Sequence, residues 1–138
     1  KARPVSYAKK TRTGRGETFA SATMPYTGLL ILIFLVLHLL HFRFGDQLMT
    51  IHNGIEMRDL YRSVVLLFQD PGYVVYYVFS ALVLAFHVNH GFASAFQSLG
   101  LNHPKYTPFI KKIACLYALV VGAGFSFLPI YLHFKGVL

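Results

Sequence analysis

The chain has 138 residues, of which 55% are hydrophobic and only 13% are charged, roughly half the charged fraction of a soluble domain. This low charge, together with three long apolar runs, excludes an ordinary soluble globular protein and predicts an integral membrane protein. The formal net charge of +8 does not indicate a nucleic-acid partner, because six of the 13 Lys and Arg residues fall in Lys1–Arg15, where they flank the first apolar run. Cys115 is the single cysteine, so an internal disulfide is excluded.

Three predicted membrane spans account for most of the sequence. They cover residues 24–42, 73–95 and 113–134, each long enough to cross the apolar part of a bilayer as a helix. Within the third span, Gly122 and Gly124 are expected to allow close contact with a neighbouring helix. The predicted fold class is therefore an all-α transmembrane helix bundle, with three spans in this chain and a short interfacial helix.

The segments outside the spans differ in charge. Residues 1–22 form a basic polar arm, and the loop 98–112 is also basic. The connection 43–71 holds three Arg and four acidic residues, and its segment Met57–Phe68 alternates polar and apolar residues at helical spacing. That segment is the predicted interfacial helix. By the positive-inside rule the arm and the basic loop are predicted to be cytoplasmic, and the connection to lie outside.

Four histidines lie inside the predicted spans, as two pairs with i, i+3 spacing. His38 and His41 are on the first span, and His87 and His90 are on the second. An ionisable residue at that depth is costly, so it predicts a functional site, although a hydrogen-bonded packing role is the simpler alternative. Haem iron is favoured over zinc because no Cys, Asp or Glu shares the depth of these imidazoles. Since the members of a pair share one helix face, one pair cannot supply both axial ligands of a flat macrocycle.

His38 and His87 are predicted to lie at different depths. Counting 1.5 Å per residue from the expected span ends places their levels ~9 Å apart. Two haems, each with one ligand from this chain, therefore fit better than one haem held by both residues. The remaining histidines, His52, His103 and His133, fall in loops or at a span end and are expected to be solvated.

The sequence around these histidines resembles a known family. Thr27–Leu39, which begins Thr-Gly and ends His-Leu, and Phe86–Gly100, which contains His-x-x-His-Gly-Phe-x-Ser-Ala-Phe, are similar to the di-haem cytochrome b membrane anchor of succinate dehydrogenase and fumarate reductase. The segments 59–71 and 125–131 also fit that family. The resemblance covers nearly the whole chain, which looks like the last three of the five transmembrane helices of such an anchor.

The resemblance assigns roles to the membrane histidines. It implies that His38 ligates the haem distal from the cytoplasmic subunits and that His87 ligates the proximal haem. The opposite ligands would come from two further spans before Lys1, each with one membrane histidine. His41 and His90 are not at the aligned ligand positions, so they are weaker candidates for the haem sites.

The resemblance also implies a function, namely electron transfer within succinate:quinone oxidoreductase in the bacterial cytoplasmic membrane. The implied cofactors are two haem b groups and a quinone, with menaquinone favoured over ubiquinone. The implied partners are the flavoprotein and iron–sulfur subunits and membrane lipid, with no nucleic acid, and dicarboxylate chemistry would occur on the other subunits. On the cytoplasmic flanks, Arg15, Ser21, Lys111 and Lys112 are candidate contacts for haem propionates or partner subunits, because a buried anion needs a partner.

Two alternatives remain open at the level of sequence. The chain could be the membrane cytochrome b subunit of another dehydrogenase or of a hydrogenase. It could also be a non-haem transporter or membrane anchor in which the histidines relay protons.

Overall fold

The computed structural model describes residues 19–101 and 103–136, and this part of the chain forms a bundle of long helices with a small hairpin. The elements are α1 (Phe19–Phe42), β1 (Met49–His52), β2 (Ile55–Arg58), α2 (Leu60–Leu67), α3 (Pro71–Ser98) and α4 (Thr107–Lys135). Three of the helices are long and apolar enough to cross a membrane, over Ser21–Phe42, Pro71–Ser98 and Thr107–Lys135. The predicted all-α membrane bundle with three spans is thereby confirmed.

The long helices extend beyond the predicted span limits. Helix α1 begins at Phe19 rather than at residue 24, and α4 begins at Thr107 rather than at residue 113. The early start of α4 places Pro108 in its first turn, where a residue without an amide hydrogen costs no intrahelical bond. Lys111 and Lys112 consequently belong to the helix and not, as predicted, to the preceding loop.

The connection between α1 and α3 contains a hairpin that the sequence analysis did not predict. Its strands pair antiparallel around Asn53 and Gly54, which have φ values of 53° and 80°. Two consecutive residues with positive φ form the tight turn that matches the twist of a hairpin. Because β2 extends to Arg58, the short helix begins only at Leu60, after Asp59 accepts a 2.9 Å hydrogen bond from the Arg62 amide.

Helix α3 is central, since it packs against α1 on one side and α4 on the other. We call the end of the bundle that carries residues 43–70 the hairpin end and the end that carries residues 99–106 the loop end. A buried core of Val65, Phe68, Tyr77 and Leu132 lies at the hairpin end, where α2 meets α3 and α4.

Two hydrogen bonds fasten the end of α4 to the segment after α2. The Gln69 side-chain amide donates to the Leu132 carbonyl over 3.2 Å, and His133 Nδ1 lies 2.8 Å from the Phe68 carbonyl oxygen. Because a carbonyl oxygen only accepts, the imidazole is the donor. The prediction that His133 is solvated is therefore wrong: it is a half-buried packing residue.

Helices α3 and α4 lie close together at Gly122. A Cβ atom added there would lie 2.8 Å from the Cβ of Ala85, which is too close for either helix to tolerate without moving, whereas nothing lies within 4 Å of a Cβ added at Gly124. We expect Gly122→Ala to lower the free energy of unfolding by ~1–3 kcal/mol, the usual cost of overpacking. Gly124→Ala is the matched control and should be neutral or slightly stabilising, because alanine is the better helix former. Thermal unfolding in detergent compares the two variants, and equal melting temperatures would contradict the close approach.

Candidate cofactor site

His87 lies on α3 against the first third of α1. Its Nδ1 atom is 2.9 Å from the hydroxyl oxygen of Thr27, and a Cβ added at Gly28 would lie 3.5 Å from the ring atom Cε1. One turn further along α3, a Cβ added at Gly91 would lie 3.7 Å from Cε of Met24. Thr27 and Gly28, which begin the first segment similar to the cytochrome b anchor, therefore lie next to His87 in the second such segment, Phe86–Gly100.

The surroundings of the Thr27 hydroxyl indicate which tautomer His87 adopts. The same oxygen lies 3.2 Å from the Thr23 carbonyl and 3.1 Å from the Met24 carbonyl. Carbonyl oxygens only accept, so the hydroxyl hydrogen points at the backbone and a lone pair of the oxygen faces the imidazole. We infer that Nδ1–H of His87 donates to Thr27, which leaves the lone pair of Nε2 available for a metal ion.

His38 lies nearer the hairpin end and lines a cavity of about 460 Å³. This volume falls in the ~300–1,000 Å³ range of pockets that hold small ligands and cofactors. Within the described part of the chain, His38 Nδ1 is buried without a hydrogen-bond partner. The wall is mostly apolar and is formed by Phe34, Leu35, His38, Phe42, Leu60, Val64, Phe68, Tyr77, Ser80, Ala81, Leu84, Phe125, Leu128 and Pro129. A half-buried imidazole in such a wall is suited to a ligand that is largely apolar and offers it one polar or metal contact.

The other histidine of each pair has different surroundings. His41 Nδ1 lies 3.1 Å from the hydroxyl of Tyr77, a residue that is only 8% exposed. His41 also lines an open groove together with Asp70, Tyr73 and other residues of the hairpin end. His41 therefore has a structural partner of its own, the hydroxyl of Tyr77. His90 is half-buried one turn beyond His87 on α3.

His38 and His87 lie at clearly different levels of the bundle. His87 is level with Thr27, and His38 follows Thr27 by eleven residues on the same helix, which is a rise of ~16 Å. The ring of Tyr77 lies 6.0 Å from that of His38, and Tyr77 precedes His87 by ten residues, or ~15 Å, on α3. The predicted separation of ~9 Å was too small, because it assumed span ends that the longer helices overshoot. Such a distance excludes a single iron bound to both imidazoles.

The predicted flanking contacts gather toward the loop end as far as they are described. Ser21 is half-buried in the first turn of α1, six residues or ~9 Å before the level of His87. Lys111 and Lys112 are exposed in the first turns of α4. Arg15 lies outside the described residues. The described flanking groups are thus on the loop-end side of His87 and none is on the hairpin-end side.

Across residues 19–101 and 103–136, no three His, Cys, Asp or Glu side chains gather in a group that could hold a metal ion. An iron bound at His38 or at His87 would therefore have a single imidazole as its ligand from the described residues, and not a cluster of ligands. Comparison of the chain with protein-family models, with curated proteins and with solved structures found no match.

Proposed function

We propose that this chain is a haem b-binding membrane anchor of a succinate:quinone oxidoreductase that passes electrons between an iron–sulfur subunit and a membrane quinone. The observation that carries the proposal is the pair of membrane imidazoles His38 and His87, whose levels differ by ~16 Å measured along the α1 axis. Each imidazole lies in apolar surroundings and has a ring nitrogen available for iron. His38 and His87 are too far apart to pass a proton directly to one another, so a proton relay would need further groups between them.

The two sites fit haem through different features. At His87 the Thr27 hydroxyl occupies Nδ1, so Nε2 is the atom that would bind iron. At His38 the cavity supplies space and an apolar wall, and Ser80 and Tyr77 are its hydroxyl-bearing lining residues. Bound haem supplies one-electron redox chemistry, while the protein supplies ligation, burial and orientation. The opposite axial ligands would come from other membrane helices, as the sequence resemblance implies.

The charged flanks support a direction for the assembly. Lys111 and Lys112 are exposed at the loop end. Ser21 lies between the level of His87 and that same end. We propose that this end faces the cytoplasm of a bacterial cell, contacts the iron–sulfur subunit and pairs with propionates of the proximal haem. The flavoprotein would then be attached through the iron–sulfur subunit, and the quinone, for which we favour menaquinone, would exchange with the membrane.

A reduced-minus-oxidised absorbance spectrum of the purified membrane complex tests the proposal. We expect a haem b band, a pyridine haemochrome content near two haems per copy of this chain, and co-purification of a flavoprotein and an iron–sulfur protein. Haem b without a flavoprotein would assign the chain to another dehydrogenase or a hydrogenase. A complex without a haem b band would overturn the proposal and favour a non-haem transporter or anchor.

A further inference from the structure

We infer that Thr27 is a positioning residue for the iron on His87, and that its hydroxyl sets the electron-donating strength of that imidazole. The inference rests on the proposed function, because it concerns a haem at this histidine. It concerns a residue on α1 that would act on the iron through the imidazole of α3 and not as a ligand itself.

The hydrogen-bond arrangement makes the Thr27 oxygen a fixed acceptor. Its own hydrogen is directed to the Thr23 and Met24 carbonyls at 3.2 and 3.1 Å, and these belong to the preceding turn of the same helix. A hydroxyl that donates to a carbonyl becomes a better acceptor, since hydrogen bonds in a chain polarise one another. The 2.9 Å contact to His87 Nδ1 is therefore the end of a short hydrogen-bonded chain anchored in the α1 backbone.

The neighbouring Gly28 lets the α1 backbone lie close to the ring. A Cβ added at Gly28 would lie 3.5 Å from Cε1 of His87, so the α1 backbone passes close to the edge of the ring that carries Nδ1. Rotation of the imidazole about its Cβ–Cγ bond would break the bond to Thr27. The contact thus fixes both the tautomer and the orientation of Nε2.

An imidazole that donates Nδ1–H to an acceptor binds metal more strongly through Nε2, and loss of such a partner commonly costs 10- to 100-fold in affinity. Stronger donation favours ferric over ferrous iron. Without the Thr27 acceptor, we expect the preference of the His87 site for ferric iron to fall about tenfold. For a one-electron couple that is a rise in midpoint potential of about 59 mV.

The experiment is a potentiometric titration of both haems in the intact complex carrying Thr27→Val, Thr27→Ala or Thr27→Ser. Valine keeps the shape of threonine without its hydroxyl, alanine gives a second variant without an acceptor, and serine keeps the acceptor. The Val and Ala variants should raise the potential of the haem on His87 and leave the other haem unchanged. The Ser variant should titrate like the wild type.

Ser98→Ala is the matched control, because it removes an exposed hydroxyl of α3, outside the His87 site, that donates to the Ser94 carbonyl over 3.1 Å. This variant should leave both potentials unchanged. If the wild type contains both haems and neither Thr27→Val nor Thr27→Ala shifts a potential, the positioning role is wrong while the proposed function stands. If Thr27→Val does not assemble, the result for Thr27→Ala decides the question. A wild-type complex without haem would overturn the proposed function itself.

Discussion

His87→Ala is expected to remove one of two haem b groups and to leave the other in place, so that the haem b absorbance of the complex falls by about half. The reason is the separation of the two imidazoles, ~16 Å along α1, which places them in different sites. His38→Ala should remove the other haem and retain the haem on His87. Redox titration identifies the haem that remains, because two haems in different surroundings differ in midpoint potential.

The control for this pair is His52→Ala, which changes an exposed histidine of the hairpin. It should retain both haems with unchanged potentials. Retention of both haems in His38→Ala and in His87→Ala would contradict the ligand assignment, whereas loss of both haems from either variant alone would contradict the independence of the two sites. The haem content of each variant must be measured per assembled complex, since a complex that fails to assemble also loses haem.

The presence of the spans could be read from the sequence, but their ends could not. Hydropathy locates the apolar centre of a membrane helix, and a helix continues into the interface wherever its backbone hydrogen bonds can be completed. Helix α4 continues back to Thr107 through Lys111 and Lys112, because long cationic side chains extend toward water from the end of a span. The charge of these lysines suggested a loop.

The hairpin was missed although its signal was present. Asn53-Gly54 between short runs with Ile51 and Ile55 is the pattern of a two-residue hairpin turn. The helix-like spacing from Met57 onward competes with that pattern and predicts an interfacial helix that begins at Met57. In the structure the strand takes Met57 and Arg58, and the N-cap at Asp59 sets the start of the helix.

The candidate site was partly visible in the sequence. The cost of burying an imidazole in a membrane singled out the two histidine pairs without any knowledge of packing, and the resemblance then selected His38 and His87 as the candidate ligands. The partner of His87 could not be found in this way, since Thr27 is 60 residues away and threonine is common in membrane helices. The cavity beside His38 also depends on how α1, α2, α3 and α4 meet, which no local pattern encodes.

Tyr77→Ala is expected to lower the free energy of unfolding by ~3–5 kcal/mol, the usual cost of truncating a buried aromatic residue. The ring of Tyr77 is the centre of the hairpin-end core, with centroids 5.0 Å from Phe68, 5.3 Å from Phe34 and 6.0 Å from His38. Removing it would enlarge the cavity beside His38 and leave His41 without its hydroxyl partner. Unfolding in detergent, followed by circular dichroism, measures the loss.

Two control variants separate the causes of this destabilisation. Tyr77→Phe keeps the ring and removes only the 3.1 Å contact with His41, so it should cost about 1 kcal/mol, the usual worth of one hydrogen bond. Tyr131→Ala removes a tyrosine that is 46% exposed on α4 and should change stability by less than about 1 kcal/mol. Equal losses in Tyr77→Ala and Tyr77→Phe would show that the hydroxyl, and not the packing of the ring, holds the hairpin end together. Equal losses in Tyr77→Ala and Tyr131→Ala would contradict the central place of Tyr77 in the core. We expect the free energy of unfolding of Tyr77→Ala to be far lower than that of Tyr77→Phe or Tyr131→Ala. This order requires the ring of Tyr77 itself to hold α1, α2 and α3 together around His38.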